Sequence, residues 1–137
     1  MKLIVLMFTL VCAHAQTDAE VVAAVLIAEA GGEGTAGLVA VREVIQTRSA
    51  ERRQSERAVV TARWQFSCLN GTTPASLVER ARRHPRWNEA LTLASAPSTS
   101  QSARGANHYH SRHIQPPAWA VGRAPDVRVG NHLFYHL

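Results

Sequence analysis

Cysteine is nearly absent from this chain: 137 residues carry only Cys12 and Cys68. Two cysteines close at most one bridge, so packing rather than a disulfide framework must hold the fold. Acids are scarce as well, 10 Asp and Glu against 15 Lys and Arg, which makes the chain basic and leaves few carboxylates for acid chemistry. No apolar run reaches the roughly 20 residues that a membrane-spanning helix needs. There is no H-E-x-x-H zinc pattern, no internal repeat and no second domain. What remains is one compact domain, with a hydrophobic content of 46% that is sufficient for a single core.

The chain starts with a basic Met1-Lys2, continues through an apolar stretch from Leu3 to Cys12 broken only by Thr9, and then reads Ala13-His14-Ala15. This order predicts a secretory signal peptide over residues 1–15, cleaved after Ala15. The mature domain is then 16–137, secreted or periplasmic, without stable membrane insertion. Cleavage removes Lys2 and Cys12, so 15 basic residues become 14 against an unchanged 10 acids, and Cys68 is left alone. An exported basic protein suits anionic envelope polymers, and the export signal argues against nucleic acid. Cys68, with Phe66 and Leu69 nearby, reads as a small buried hydrophobe, the alternative being a nucleophile.

Thr17-Asp18-Ala19-Glu20 has the form of a capping box and precedes Val21, Val22, Val25, Leu26 and Ala28, which predicts a largely buried first helix from Asp18 to Ala30. Gly31, Gly32 and Gly34 end it, and Thr35 is placed to cap a second helix over 36–48, where Leu38, Val41, Val44, Ile45 and Arg48 recur at helical spacing. Residues 49–57 read as a charged, solvated connection with a short helix starting near Ser55. Thr73-Pro74 opens a helix through about Arg83, and another runs from Arg86 to Ala94. Residues 96–104 are a Ser-rich surface loop. The last third turns strand-like at 107–110, is extended at 116–119, and reads strand, turn, strand over 127–136. Helices followed by a small antiparallel sheet make an α+β domain.

Within this frame Ala28-Glu29-Ala30-Gly31-Gly32-Glu33-Gly34 stands out, because it delivers a carboxylate from a rigid apolar helix into a Gly-rich turn. A carboxyl on such a helix is disposed toward the neutral form that can donate a proton. Glu29 is therefore the candidate acid, with solvent exposure at a helix end as the alternative. Glu33 is either a second catalytic group or a favourable charge at the next helix N-terminus. Trp64-Gln65-Phe66-Ser67 combines flat rings with an amide, as a sugar site requires, with core packing as the alternative for Phe66 and Trp64. His108, His110 and His113, with His132 or His136, suggest a metal set, but the nearest acids are remote and the spacing fits histidines hydrogen-bonded along a groove.

These segments together resemble the cell-wall hydrolase family of the spore cortex-lytic enzymes SleB and CwlJ. The resemblance runs from about Val22 to Tyr135. It is carried by Ala28-Glu29-Ala30-Gly31-Gly32-Glu33, Gly37 with Ala40-Val41, Gln65-Phe66-Ser67-Cys68, His84-Pro85-Arg86-Trp87, Gly105-Ala106 with Tyr109-His110, Pro117-Ala118-Trp119, and Gly130-Asn131-His132-Leu133-Phe134-Tyr135. The chain departs at Gly31, where the family commonly has arginine, and keeps only Arg48 of a common Asn-Arg pair.

The resemblance implies a lysozyme- or lytic-transglycosylase-like helical fold, with residues 16–137 forming a catalytic domain for peptidoglycan glycan strands. It implies that Glu29 is the acid, and favours a lytic transglycosylase cutting between N-acetylmuramic acid and N-acetylglucosamine. The expected substrate contacts are Gln65, Phe66, Tyr109, His110, Trp119, Asn131 and Tyr135, of which at least one among Tyr109, Trp119 and Tyr135 is expected to be purely structural. The protein is expected to act as a monomer with neither metal nor cofactor. A hydrolase leaving reducing ends and a non-catalytic peptidoglycan-binding module are the competing classes.

Overall fold

The computed structural model describes residues 15–137; the expected signal segment, apart from Ala15, lies outside the described residues. Among the described residues no helix is long and apolar enough to cross a membrane. The first helix, α1 (Asp18–Ala30), begins at the expected capping box: the Glu20 amide donates to Thr17 Oγ1 at 3.2 Å, and the Thr17 amide to Glu20 Oε2 at 2.9 Å. Val21 through Leu26 are all buried, which a helix tolerates only when it is covered on every side. Accordingly α1 packs against α2 (Gly34–Arg52), α3 (Glu56–Thr61), α4 (Pro74–Ala81) and α5 (Trp87–Ala94).

Two boundaries differ from the sequence expectation. The second helix starts at Gly34, whose φ of +72° lets the chain turn sharply, and its N-cap residue is Glu33 rather than Thr35. Thr35 lies inside the first turn and donates to Glu89 Oε1 at 2.5 Å. At its other end α2 continues through the charged segment to Arg52 and closes on Arg53, which is left-handed at φ 52°. The side chains of 50–52 are exposed as expected, and the last turn of the helix is closed by the Arg53 and Gln54 amides, which donate to the Ala50 and Ser49 carbonyls at 3.3 and 3.1 Å. Ser55 then caps α3.

The Ser-rich loop is tied down rather than free. Glu43 of α2 is buried and accepts from Ser98 Oγ, Ser100 Oγ and the Ala103 amide. Beyond it lies a three-stranded antiparallel sheet of β1 (His108–Ser111), β2 (Val127–Val129) and β3 (His132–Tyr135), in the order β1-β3-β2. Tyr109 pairs with Phe134 and Ser111 with His132, so these four share one face; His108 pairs with Tyr135, and they share the other face with His110. The sheet thus sorts its aromatic residues into two groups with different neighbours.

Candidate active site

Glu29 occupies the last turn of α1, and its Oε2 accepts the Tyr109 hydroxyl at 2.7 Å. Helix and sheet therefore meet at one carboxylate. Burial, and then the charge of Glu29, raises the Tyr109 phenol well above its ordinary value, so it stays protonated as a donor. Cys68 stands next to Glu29 on the short 3₁₀ turn at Ser67–Leu69, outside the lining of the groove around the acid. Its thiol is pushed up to about 12, first by burial and next by the Glu29 charge, which favours the protonated form near neutral pH.

Around this acid runs a groove of about 580 Å³. Of the residues expected from sequence, the groove brings together Glu29, Gln65, Phe66, Tyr109, His110 and Trp119. It does not bring in Glu33, Asn131 or Tyr135. Tyr135 is 4% exposed, stacks on His110 at 5.5 Å and meets the Trp119 ring at 5.3 Å. Its hydroxyl lies 3.1 Å from His110 Nε2, which makes it the support beneath two groove residues.

Glu33 and Asn131 are occupied with each other. The Asn131 amide N–H donates to Glu33 Oε2 at 2.9 Å, and its side-chain Nδ2 donates to Oε1 at 3.2 Å. These two bonds, the backbone one foremost, hold the Glu33 carboxyl below its ordinary value. Although Glu33 is the N-cap residue of α2, its side chain makes no capping bond there. It latches the α1–α2 turn to the β2–β3 hairpin instead. Gly130, left-handed at φ 56°, leaves the space for this latch, since a Cβ there would run into Glu33 Oε2.

Further residues line the groove beyond the expected substrate contacts, among them Arg48, Trp64 and His132. Arg48 is 7% exposed, donates through Nε to the Asn107 carbonyl at 2.6 Å and lies over the Phe66 ring at 5.3 Å. Its Nη1 is buried without a hydrogen-bond partner among the described residues. An arginine recurring in register with Leu38, Val41 and Ile45 was the available signal, because a charge at a core position needs a reason. Trp64 is 69% exposed, so core packing does not explain it. It stands at the groove lip on a left-handed backbone, φ 65°, a strained conformation for so bulky a residue. His132 also lines the groove, and burial lowers it below its ordinary value.

Gly31, where the sequence departs from the resembled pattern, has the His84 ring against it: a Cβ would sit 3.1 Å from His84 Nε2. No cluster of three or more His, Cys, Asp or Glu with metal-binding geometry occurs among the described residues, so the histidines reach Trp119, Tyr135 and Asn131 rather than one another's lone pairs.

Comparison with known proteins bears on this geometry. A family model described as Cell Wall Hydrolase matches residues 32–135. That range includes Glu33 and every groove residue except Glu29, just after which it opens. The fold is similar to a crystal structure of the catalytic domain of the Bacillus cereus SleB protein, with a TM-score of 0.61 and 19% identity over 90% of this chain and 92% of that one. At that identity the likeness is one of fold. No curated protein matches the chain.

Proposed function

The chain belongs to the cell wall hydrolase family, and from that premise we propose that it cleaves peptidoglycan glycan strands with Glu29 as its acid, as a lytic transglycosylase acting in the periplasm or outside the cell. The observation that carries this reading is Glu29 itself, held by Tyr109 at 2.7 Å in the wall of a groove lined with rings and an amide. Flat rings suit sugar faces, and Gln65 suits their hydroxyls. Residues 1–15 serve as the export signal, the mature domain works as a monomer, and the chemistry draws on no cofactor.

Most glycosidases use two carboxylates, one as acid and one as base or nucleophile. Here Glu33 has both oxygens engaged by Asn131 and lies outside the groove lining, which favours a route that needs only one acid. Glu29 donates its proton to the oxygen between N-acetylmuramic acid and N-acetylglucosamine as the bond to the muramic C1 breaks. The resulting carboxylate faces the positive charge at C1 and takes up the proton of the muramic C6 hydroxyl as that oxygen closes a 1,6-anhydro ring. Because the attacking group belongs to the same sugar, its effective concentration is high and no held water is required.

The test is to incubate the purified protein with peptidoglycan and analyse the soluble muropeptides by mass. Products ending in 1,6-anhydromuramic acid support the transglycosylase. Reducing ends replace it with a water-using hydrolase, and sacculus binding without products replaces both with a binding module.

A further inference from the structure

His132 is a groove residue to which the reaction above gives no part. It stands on β3 between Ser111 of β1 and Val129 of β2, 8% exposed, with its ring 5.2 Å from that of Tyr109 and 6.2 Å from that of Phe134. Its Nδ1 is buried with no hydrogen-bond partner among the described residues. Buried polar atoms almost always have a partner, and phenylalanine or leucine would fill this place without leaving one unmet. The ring therefore does something that packing alone does not require. It also lines the same groove as Glu29, and Tyr109 touches both, its hydroxyl donating to the acid and its ring meeting that of His132 edge-on.

We propose that His132 is the proton relay of this groove: a ring nitrogen takes the proton of the attacking C6 hydroxyl and returns it to the Glu29 carboxylate. The inference rests on the peptidoglycan reading and refines its last step: the C6 proton reaches the Glu29 carboxylate by way of His132 instead of directly. In the first step Glu29 gives its proton to the bridging oxygen, which leaves C1 with the bonding electron pair. The C6 oxygen then bonds to C1 while its proton moves to His132, giving an imidazolium. That imidazolium protonates Glu29, and both side chains return to their starting forms with no water consumed.

The surroundings suit this timing. The groups facing the ring are Glu29 on α1, Glu33 in the turn before α2, and Tyr109 and His110 on β1. Burial is the largest influence and His110 acts in the same direction, holding the ring neutral at rest, whereas Glu33 and Glu29 favour its charged form. Protonated Glu29 exerts no such pull. Once it has donated, it is an anion beside the ring, and the imidazole becomes more basic at the step that needs a base.

The experiment measures muropeptide release by the wild type, His132→Gln and His132→Asn across about pH 5 to 8, alongside sacculus binding. The wild-type rate should fall on the acid side, below the ordinary histidine value of 6.5, as the ring charges before it is needed. Both variants should lose roughly 10²-fold in rate with binding unchanged, and should lose that acid limb. A variant that matches the wild type, or one that is slowed but keeps the acid limb, overturns the relay. A wild-type profile with no acid limb overturns it even if neither variant folds. A wild type that releases nothing from peptidoglycan overturns the reading beneath it.

Discussion

Tyr109 donates its hydroxyl to Glu29 across 2.7 Å, joining residues 80 positions apart in the chain. The bond fixes the rotamer of the acid and pins the end of α1 to the centre of β1. Hydrogen bonds to charged groups contribute about 1.5–3 kcal/mol. Tyr109→Phe should therefore slow muropeptide release by roughly 10- to 100-fold, since each 1.36 kcal/mol is about tenfold. Sacculus binding should stay constant, because the ring and its contacts with Phe134 and His132 remain. Unchanged turnover in this variant would remove the positioning role.

Glu29→Gln keeps the shape and the acceptor for Tyr109 but has no proton to give. Release of muropeptides should drop by at least the 10²- to 10⁴-fold typical of a lost general acid. Pelleting with sacculi should match the wild type. Cleavage at the original rate would show that another group supplies the proton.

Trp64→Ala separates groove from core. The side chain is 69% exposed, so the melting temperature should scarcely move, and alanine at φ 65° meets the same backbone strain as tryptophan. If the ring is a platform for a sugar, removing a contribution of about 0.5–1.5 kcal/mol weakens sacculus binding by several-fold. A large loss of stability would mean that Trp64 holds the fold after all.

Much of this arrangement was legible in the sequence because it is written locally. The capping box at Thr17 and Glu20 and the apolar run behind it specify α1, and with it the rigid delivery of Glu29. What escaped depends on distant pairings or on backbone sign. The start of α2 hinges on Gly34 taking a positive φ, which its neighbours do not announce. Tyr135 and Tyr109 look alike in a strand-like stretch, but the register sets Tyr109 toward Glu29 and Tyr135 toward His110 and Trp119, and a register across more than 20 residues has no local signature. Glu33 was open between catalysis and a helix end because its partner, Asn131, lies 98 residues away.

Cys68 offers a check on the chemistry of the site that does not use turnover. A thiol pushed up to about 12 is almost wholly protonated near neutral pH, and the thiolate is the reactive form. Iodoacetamide should leave the native protein unmodified and alkylate it only after denaturation, as read by intact mass. Rapid alkylation of the native protein would show a reactive cysteine beside Glu29 and reopen its role as a nucleophile.

The Glu33–Asn131 latch predicts how stability depends on pH. The folded carboxyl sits below its ordinary value of 4.5, so the latch contributes in full above that pH and is lost as the pH falls through the lower folded value. Glu33→Gln should lower the melting temperature at neutral pH and flatten its decline below 4.5. Asn131→Ala removes the side-chain bond but keeps the backbone donor, which is the larger influence on Glu33, so it should alter the acid limb less than Glu33→Gln does. Muropeptide release measured at a temperature where both variants are folded then decides the role of this acid. A folded Glu33→Gln that still cleaves leaves Glu33 as a latch between turn and hairpin, whereas a folded variant that binds sacculi without cutting them would make it the second catalytic carboxylate.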